Sequence, residues 1–251
     1  MPDPDPVLRL LWRHSLPSPE GGAARRGPKQ KVTVDDVVDA AIDLADRDGL
    51  AALSMRGLAQ HLGLGAMTLY TYVATRNDLL VLMVDQVLGR TVLPAHAVDL
   101  RERLEQLARV QYDDYRAHPW LLEVTGVRAW LGPHMADRYE WQLEAVEGIG
   151  LDDIEMDQAV TLLASFAAGV ARAEQVVRHA ERESGMSDAE WWEANHEALG
   201  EVMAGREYPL AGRVGTAAGE AYQAASDQRR ELDFGLARIV DGLVAHLPDG
   251  S

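Results

Sequence analysis

The stretch LSMRGLAQHLGLGAMTLYTYVATRNDLL, residues 53–80, decides the fold of this chain. It is typical of two short helices joined by a tight turn, with a third helix starting directly after them. Ser54 is a suitable N-cap for the first helix, which we expect to end near His61. The residues at helical spacing that this helix buries are Leu58, Ala59 and Leu62.

The turn falls at Gly63, because glycine adopts the positive φ angle of a sharp turn at little steric cost. The second helix, over about residues 65–72, is expected to turn Leu69 inward. The residues that it leaves outside are Thr68, Tyr70, Thr71 and Tyr72. Small residues at the elbow let two helices cross closely, which a helix-turn-helix and an ordinary bundle corner both require. The pattern alone leaves these two interpretations open.

The particular residues of this stretch resemble the DNA-binding domain of the tetracycline-repressor (TetR) family of bacterial transcription regulators. The resemblance covers residues 25 to about 87. It rests on Ser54-x-Arg56, Leu58-Ala59, Leu62-Gly63, the triplet Thr68-Leu69-Tyr70 and a basic residue before Asp78-Leu79-Leu80. It implies an all-α chain in which residues 25–76 form a helix-turn-helix domain with a basic arm. Residues 77–251 then form a helical domain for effector binding and dimerisation.

Composition places the chain among soluble globular proteins. Of its 251 residues, 47% are hydrophobic and 25% are charged. The absence of cysteine excludes disulfides and cysteine-based zinc sites. Apolar runs stay well short of about 18 residues and the N-terminus has no signal-peptide pattern, so we expect a cytoplasmic protein without membrane contact.

The net charge of −16 argues at first against a nucleic-acid partner, but its distribution does not. Residues 25–76 hold seven Lys/Arg and six Asp, a net charge of +1. Residues 77–251 hold 15 Arg and 31 Asp/Glu, a net charge of −16. An acidic body repelled by phosphate would orient the protein with only one end on DNA.

Residues 1–24 are expected to form a mostly disordered tail, since the segment is proline-rich and lacks a sustained period. Its exception is the apolar patch VLRLLW, residues 7–12, which either docks on the protein or is loosely held; we favour the latter. Residues 25–31 form a basic arm of the kind that follows the DNA backbone or enters the minor groove. A solvated linker is the alternative.

The resemblance and the residue chemistry together suggest DNA contacts. Candidates for phosphate are Arg25, Arg26, Lys29, Ser54 with the N–H groups after it, Arg56, Tyr70 and Arg76. Candidates for base edges or sugars are Thr68, Thr71 and Tyr72, with Met67 for a thymine methyl group. Residues 65–72 contain no Arg, Lys, Asn or Gln, so specificity is expected to depend on apolar contacts, hydroxyls and DNA shape. For Tyr70, core packing is the alternative.

Helices follow from capping and stop signals along the rest of the chain. Thr33 with Asp36, and Thr75 with Asp78, predict capping boxes, and Gly49 predicts the end of the first of these two helices. The second should link the DNA-binding head to the body, with a break over residues 91–98. Further helices are expected over residues 99–118, 120–131, 134–147, 152–183, from 187, and over 227–247. The glycine-rich segment 204–219 is predicted to be a mobile loop.

The last helix also resembles the tetracycline-repressor branch, through Phe234-Gly235-Leu236-x-x-Ile239-Val240-x-Gly242-Leu243. In that branch the last helix and the long central helix of two subunits form a four-helix dimer interface. The residues that the resemblance assigns to it are Phe166, Val170, Leu232, Gly235, Leu236, Ile239, Gly242 and Leu243. Such an apolar helix also suits the core of a monomer, but two heads on adjacent half-sites require a homodimer.

An effector cavity is expected beneath the head, as in the family. Its candidate walls are Tyr112, Tyr115, Trp120, Trp130, Trp141 and Phe166, with Arg128 and Arg172 as polar anchors. Ordinary core packing is the alternative for each aromatic residue. The segment 127–132 lacks the histidine with which tetracycline repressors hold a metal-chelated drug, so we expect an apolar or aromatic small molecule instead.

The motifs in this sequence that resemble enzyme signatures are incomplete. Gly63-x-Gly65 lacks the strand that precedes a dinucleotide fingerprint, and His196-Glu197 lacks the second histidine of a zinc protease. The pair Asp113-Asp114 is interpreted as a solvated face. We therefore expect no catalytic site, metal or cofactor, and a repressor that an effector releases from a palindromic operator. An effector-independent regulator or an activator on the same fold is the alternative.

Overall fold

The computed structural model describes residues 6–15, 32–124 and 132–247, and within these ranges the regular structure is entirely helical. The α-helices are α1 (Val7–Leu11), α2 (Val34–Asp48), α3 (Met55–His61), α4 (Ala66–Leu69), α5 (Arg76–Arg90), α6 (Leu100–Ala117), α7 (Pro133–Glu144), α8 (Asp153–Ser184), α9 (Asp188–Met203), α10 (Pro209–Tyr222) and α11 (Gln228–Ala245). A short 3₁₀ helix, Pro119–Glu123, follows α6. The expected all-α class is confirmed.

The predicted capping boxes are both present. Thr33 Oγ1 accepts the N–H of Asp36 at 3.1 Å, and an oxygen of Asp36 accepts the N–H of Thr33 at 2.7 Å. The same reciprocal pair joins Thr75 and Asp78 at the start of α5. Gly49 ends α2 with φ +82°, a conformation that glycine adopts readily.

The first core lies in the head and includes most of α5. Fully or almost fully buried residues of α2, α3 and α4 meet the apolar face of α5 from Leu79 to Leu88. Val37, Ile42, Leu58 and Leu69 are each 0% exposed. Helix α5 packs against both α2 and the body helix α7, so it connects the head to the body.

The apolar patch of residues 7–12 is docked, contrary to the interpretation that we favoured. Residues 7–11 form α1, which packs against α5 and buries Val7 and Leu11 in the core of the head. The Arg13 guanidinium pairs with Asp35 at the start of α2. Burial of two branched apolar side chains stabilises this contact by a few kcal/mol before the entropy of ordering is subtracted, at about 1.5–3 kcal/mol each.

The second core lies in the body, where α6, α7, α8 and α11 pack together. The long helix α8 begins at the N-cap Asp152 and ends at Gly185, which has a left-handed backbone. The 3₁₀ helix lies between α2 of the head and α8 of the body, and it contacts both.

Two elements differ from the sequence-based expectation. The helix expected over residues 120–131 is a 3₁₀ turn at Pro119–Glu123, and residues 125–131 lie outside the described residues. The loop expected over residues 204–219 is instead largely helix α10, with Pro209 as its first residue. Proline suits the first helical turn because its missing N–H would have no partner there. Gly212 and Gly215 of α10 are exposed, so each costs helix propensity only.

Candidate DNA interface and effector cavity

The helix-turn-helix consists of α3, a tight turn and the very short α4. Ser54 Oγ accepts the N–H of Gly57 at 3.1 Å and so caps α3. Gly63 has φ +66°, as predicted, and Leu64 donates its N–H to the carbonyl of Ala59 at 2.8 Å. The α-helical part of the second helix covers only Ala66–Leu69, because residues 70–72 continue as turns.

The outer face of α4 carries an exposed mixture of apolar and hydroxyl groups. Leu69 is 0% exposed and anchors the helix, whereas Met67 is 79% and Tyr70 is 44% exposed. Thr68 and Thr71 are also exposed, and Thr71 Oγ1 donates to the carbonyl of Thr68 at 2.7 Å. An exposed methionine contributes little to folding, so this face is free to contact another molecule.

Tyr72 differs from the other predicted contact residues. It is half-buried and packs against the core of the head, rather than lying outside with Thr68 and Thr71. For Tyr72 the expected outward orientation is therefore corrected, because part of its side chain belongs to the core of the head.

The basic candidates divide into three groups. Arg56 is exposed on α3. Arg76 donates from Nη2 to the carbonyl of Leu50 at 3.0 Å and from Nε to that of Leu53 at 3.3 Å, so it fastens the α2–α3 connection to the start of α5. Arg25, Arg26 and Lys29 lie outside the described residues. The phosphate contacts of all five remain predictions, and Arg56 has the freest side chain of the described pair.

The head and the body meet around Asp46, an acid near the end of α2. Trp120 donates its indole N–H to Asp46 Oδ1 at 2.7 Å, and His118 Nδ1 lies 2.8 Å from the same oxygen. Trp120 is 1% exposed and belongs to the core of the head. Its expected place in the wall of an effector cavity is therefore corrected, since it joins the two regions instead.

A second junction is made by Asp85 on α5. Its Oδ1 accepts the N–H groups of His134 at 3.0 Å and Met135 at 3.1 Å, so a side chain of α5 caps the start of α7. Burial raises the pKa of the Asp85 carboxyl, and these two hydrogen bonds oppose that effect. Gly132 is required beside it, because a Cβ there would lie 2.0 Å from Asp85 Oδ1.

One cavity of about 480 Å³ lies between α6, α8 and the start of α11, and we call it the α6–α8 cavity. Tyr112 lines it and donates its hydroxyl to Glu174 at 2.5 Å. Glu174 also accepts from Arg116 at 3.1 Å and from Arg178 at 2.6 Å. Burial, followed by the neighbouring Glu174 carboxylate, raises the pKa of Tyr112 and keeps its proton in place. Most residues that line this cavity are polar or charged, and Tyr112 is the member of the predicted aromatic wall that lies among them.

The other predicted cavity residues do not converge on one space. Tyr115 lines a minor cleft of about 50 Å³, and Trp141 donates its N–H to the carbonyl of Pro94 at 3.0 Å within the body core. Phe166 packs over Gly235, and Arg172 donates to the carbonyl of Leu122 at 3.3 Å. Arg128 and Trp130 lie outside the described residues.

A larger cavity of about 840 Å³ lies between α9 and α10, which we call the α9–α10 cavity. Small residues of α10 form one wall of this cavity, and the opposite wall contains Trp192, Leu199, Met203 and Tyr208. Gly219 is the one residue of these two helices that is buried. This cavity was not predicted, because the glycine-rich sequence of α10 is typical of a loop.

Three predicted dimer residues lie inside the protomer. Leu236 is 0%, Leu232 is 2% and Val170 is 7% exposed, so these three belong to the core of the body and their assignment to a partner is corrected. Gly235 accommodates Phe166 of the same chain. Ile239, Gly242 and Leu243 remain partly or fully accessible, as do two apolar residues that we did not predict, Leu162 and Phe234.

The apolar character of α8 extends to its exposed side. By length and composition alone, α8 is the described helix that could cross a membrane, a property that core helices of soluble proteins share. Here it packs on α6 and α11, while Leu162 and Val176 stay exposed.

Asp114 on α6 is 5% exposed and pairs with the buried Arg138 of α7, so its interpretation as a solvated acid was wrong.

Comparison with known proteins agrees with this architecture. A family model described as "Tetracyclin repressor-like, C-terminal domain" matches residues 93–247, which is more than half of the chain. The chain is 39% identical over 239 residues to the HTH-type transcriptional repressor DrrR1 of Streptomyces coeruleorubidus, covering 94% of this chain and 84% of that protein. It is 32% identical over 225 residues to an HTH-type transcriptional regulator of Saccharopolyspora erythraea, covering 86% of each.

Among solved structures, the TetR family protein ActR of Streptomyces coelicolor in complex with actinorhodin is similar, with a TM-score of 0.67 and 27% identity. The similarity covers 89% of this chain and all of that one. The head with its helix-turn-helix, the helical body and these relatives agree with each other. The chain belongs to the TetR family of transcriptional regulators.

Proposed function

We propose that the protein is a homodimeric repressor that binds a palindromic operator and is released from it by a small-molecule effector. The observation that carries the proposal is the outer face of α4, where Met67, Thr68 and Tyr70 are exposed above a fully buried core. Such a face fits the major groove, with apolar and hydroxyl contacts to base edges. We place this activity in the cytoplasm, where bacterial DNA lies.

On DNA, Arg56 is the described side chain best placed to contact phosphate without giving up a contact within the protein. Arg76 supports it by holding the α2–α3 connection. The basic arm, residues 25–31, supplies further charge. The acidic body, with its net charge of −16 over residues 77–251, disfavours any orientation that brings it close to the duplex.

The dimer would join α8 and α11 of two protomers. This surface includes Leu162, at 45% exposure, Phe234, at 61%, and the exposed Gly242, beside which a second helix can approach closely. Two heads joined in this way would present their recognition helices to successive major grooves, roughly 34 Å apart.

An effector in the body would act through the two junctions described above. The α5–α7 junction depends on Asp85, and the junction between α2 and the 3₁₀ helix depends on Asp46. A molecule that favours a different position of α5 would change the separation of the heads. A coupling of about 1–3 kcal/mol between effector and operator is typical. That ActR is crystallised with actinorhodin supports a ligand-responsive body for this chain as well.

The test is the salt dependence of binding to operator DNA, selected from a random library with the wild-type protein. Arg56→Ala should weaken binding to all sequences and reduce the slope of log K against log salt by about one unit. Arg229→Ala, an exposed arginine of the body, is the matched control and should leave the slope unchanged. An unchanged slope for Arg56→Ala would remove this residue from the phosphate contacts, and failure to select any operator would contradict the proposal itself.

A further inference from the structure

The short helix α1 depends on its contact with the head. Its five residues are too few to form a stable helix alone in water, because helix nucleation is costly. Val7 is 4% and Leu11 is 2% exposed, and both belong to the core of the head, where α1 packs against α5. Leu10 is partly buried against the same core. The segment therefore takes its helical shape from the surface that it covers.

The chain directly after α1 is fixed to a different helix. Arg13 donates from Nε to Asp35 Oδ1 at 3.0 Å and from Nη1 to the carbonyl of Leu10 at 2.7 Å. Asp35 lies in the first turn of α2, and Nε2 of His14 is 3.3 Å from its Oδ1. The Arg13 side chain is only 19% exposed, where a charge-assisted hydrogen bond is stronger than at an open surface. Residues 7–14, which we call the N-terminal strap, therefore join α5 to the start of α2.

The contact between α2 and α5 is held differently at its two ends. At the start of α5, Arg76 donates to the carbonyls of Leu50 and Leu53, which follow the end of α2. At the end of α5, Arg90 pairs with Asp39 of α2. The side chains of this pair are 39% and 47% exposed, and exposed ion pairs contribute little.

The N-terminal strap crosses the weakly held end of this contact. Asp35, its partner on α2, lies about one helical turn before Asp39, which pairs with the end of α5. The strap there adds the buried side chains of Val7 and Leu11 and the partly buried ion pair of Arg13. Because Arg76 fixes the opposite end, a second attachment sets the angle between the two helices. Without the strap, α2 would be able to pivot about the end that Arg76 holds.

The angle between α2 and α5 positions the surface that reads DNA. Helix α4 packs on α3, α3 on α2, and α2 on α5, which in turn packs on α7 of the body. A change of the α2–α5 angle therefore moves α4 relative to the body. In a dimer joined through the bodies, it also changes the separation of the two α4 helices.

We propose that the N-terminal strap fixes the angle between α2 and α5 and so determines which half-site spacing an operator must have. Val7, Leu11 and Arg13 are positioning residues, since they act on DNA through α2 and α4. The inference rests on the proposed binding of a homodimer to a palindromic operator. A rigid connection lets the second head bind efficiently at one spacing, whereas a loose connection allows several.

Three duplexes test the spacing: the palindrome that the wild type selects, and the same palindrome with one base pair inserted or removed at its centre. Each change rotates one half-site by about 34° relative to the other. Binding of the full-length proteins is measured by fluorescence anisotropy at one fixed salt concentration. The wild type should bind the selected spacing at least about tenfold more tightly than either altered spacing.

Leu11→Asp should have the largest effect, because an unpaired carboxylate is not tolerated in the apolar contact and α1 is released. The preference for the selected spacing should fall to about threefold or less. Leu8→Asp is the matched control, since it adds the same charge to α1 but Leu8 does not belong to the core of the head. It should keep the wild-type preference. A variant that is only less stable would bind all three duplexes more weakly by one common factor.

Arg13→Gln loosens the strap without placing a charge in the core, so it decides the question if Leu11→Asp does not fold. It removes the pair with Asp35 and should reduce the preference by about twofold to fivefold. Arg9→Gln makes the same charge change at an exposed position of α1 and should leave the preference unchanged. Urea unfolding shows which variants are folded.

The outcomes separate this inference from the proposed function. A preference that stays unchanged in the folded strap variants would overturn the inference and leave operator binding intact. A wild type that binds all three spacings equally would do the same. If the wild type selects no palindrome at all, the proposed function fails, and the inference fails with it.

Discussion

The head and the body of this protein treat their buried polar groups differently. Over the described ranges, the buried side-chain atoms without a hydrogen-bond partner belong to His96, Arg103, Asp114 and Arg138, all in residues 93–247 that match the family's C-terminal domain. Both regions have capped helices and cores at or near 0% exposure. The difference between them therefore lies in the buried polar side chains, since within the described residues only the body leaves such atoms without a hydrogen-bond partner.

The cavities follow the same division. Both the α6–α8 cavity and the α9–α10 cavity lie in the body. Leu58 and Leu69 beneath the recognition surface are fully buried, and a close-packed interior fixes the geometry of the surface above it, whereas open space allows a second arrangement.

Removing volume from the core of the head should be the most damaging change. Leu58→Ala should lower the free energy of unfolding by about 2–5 kcal/mol, because Leu58 is 0% exposed and a cavity would remain. Met67 lies on the recognition face and is 79% exposed. Met67→Ala should therefore change the free energy of unfolding by no more than about 0.5 kcal/mol. Urea unfolding measures both variants, and equal costs would contradict the division between core and reading face.

Adding volume to the body should cost less. A Cβ at Gly235 would lie 2.1 Å from the Phe166 ring, so Gly235→Ala should force the ring aside and cost about 1–3 kcal/mol. Gly200→Ala on α9 is the matched control, because nothing lies within 4 Å of its added Cβ. It should be neutral or stabilising by up to about 1 kcal/mol. Thermal unfolding measures the stability of both variants. If Gly235→Ala were also neutral, the α8–α11 contact would be looser than the structure shows.

Loss of a cap should have a smaller effect. Thr33→Ala removes the hydroxyl that accepts the N–H of Asp36, and it should cost about 1 kcal/mol. Thr161→Ala, at an exposed position within α8, should not destabilise the protein, since alanine is the better helix former. Chemical denaturation compares the two, and a harmless Thr33→Ala would show that α2 does not depend on its N-terminal cap.

The junction at Asp85 should give a pH-dependent signal. Because burial raises the pKa of Asp85 in the folded protein, the protonated carboxyl favours folding. This contribution is fully present below the unfolded pKa of about 3.9 and is lost as the pH rises through the folded pKa. Asp85→Asn does not titrate but keeps an oxygen for the N–H groups of His134 and Met135. Its stability relative to the wild type should therefore increase with pH, and urea unfolding at several pH values measures this slope. A flat or falling difference would contradict the burial argument.

Local sequence signals were sufficient for most of the head. The boxes of Thr33 and Thr75, the cap at Ser54 and the turn at Gly63 each depend on residues within about four positions. Such signals can be read directly from the sequence, and the structure confirms them. The docking of α1 was missed because its partners on α5 lie about 70 residues away, beyond any local pattern.

The acids at the junctions and in the body were less predictable, since they resemble surface residues in the sequence. Each of these acids is bound by a residue that is distant along the chain. The indole N–H of Trp120 binds Asp46, the backbone N–H of His134 binds Asp85, and the guanidinium of Arg138 pairs with Asp114. The family resemblance implied an aromatic cavity wall, but Trp120 and Trp141 use their N–H groups to join segments. No property of Arg138 in the sequence distinguishes it from the surface arginines of other helices.

The most direct test of the account is a selection of binding sites from random duplex DNA, carried out in parallel with the wild type and with a Met67→Ala, Thr68→Ala double variant. We expect the wild type to enrich a palindrome whose half-sites are about one helical turn apart. We expect the folded double variant to enrich a changed sequence or none. Enrichment of the same palindrome by both proteins would contradict the claim that α4 reads the operator.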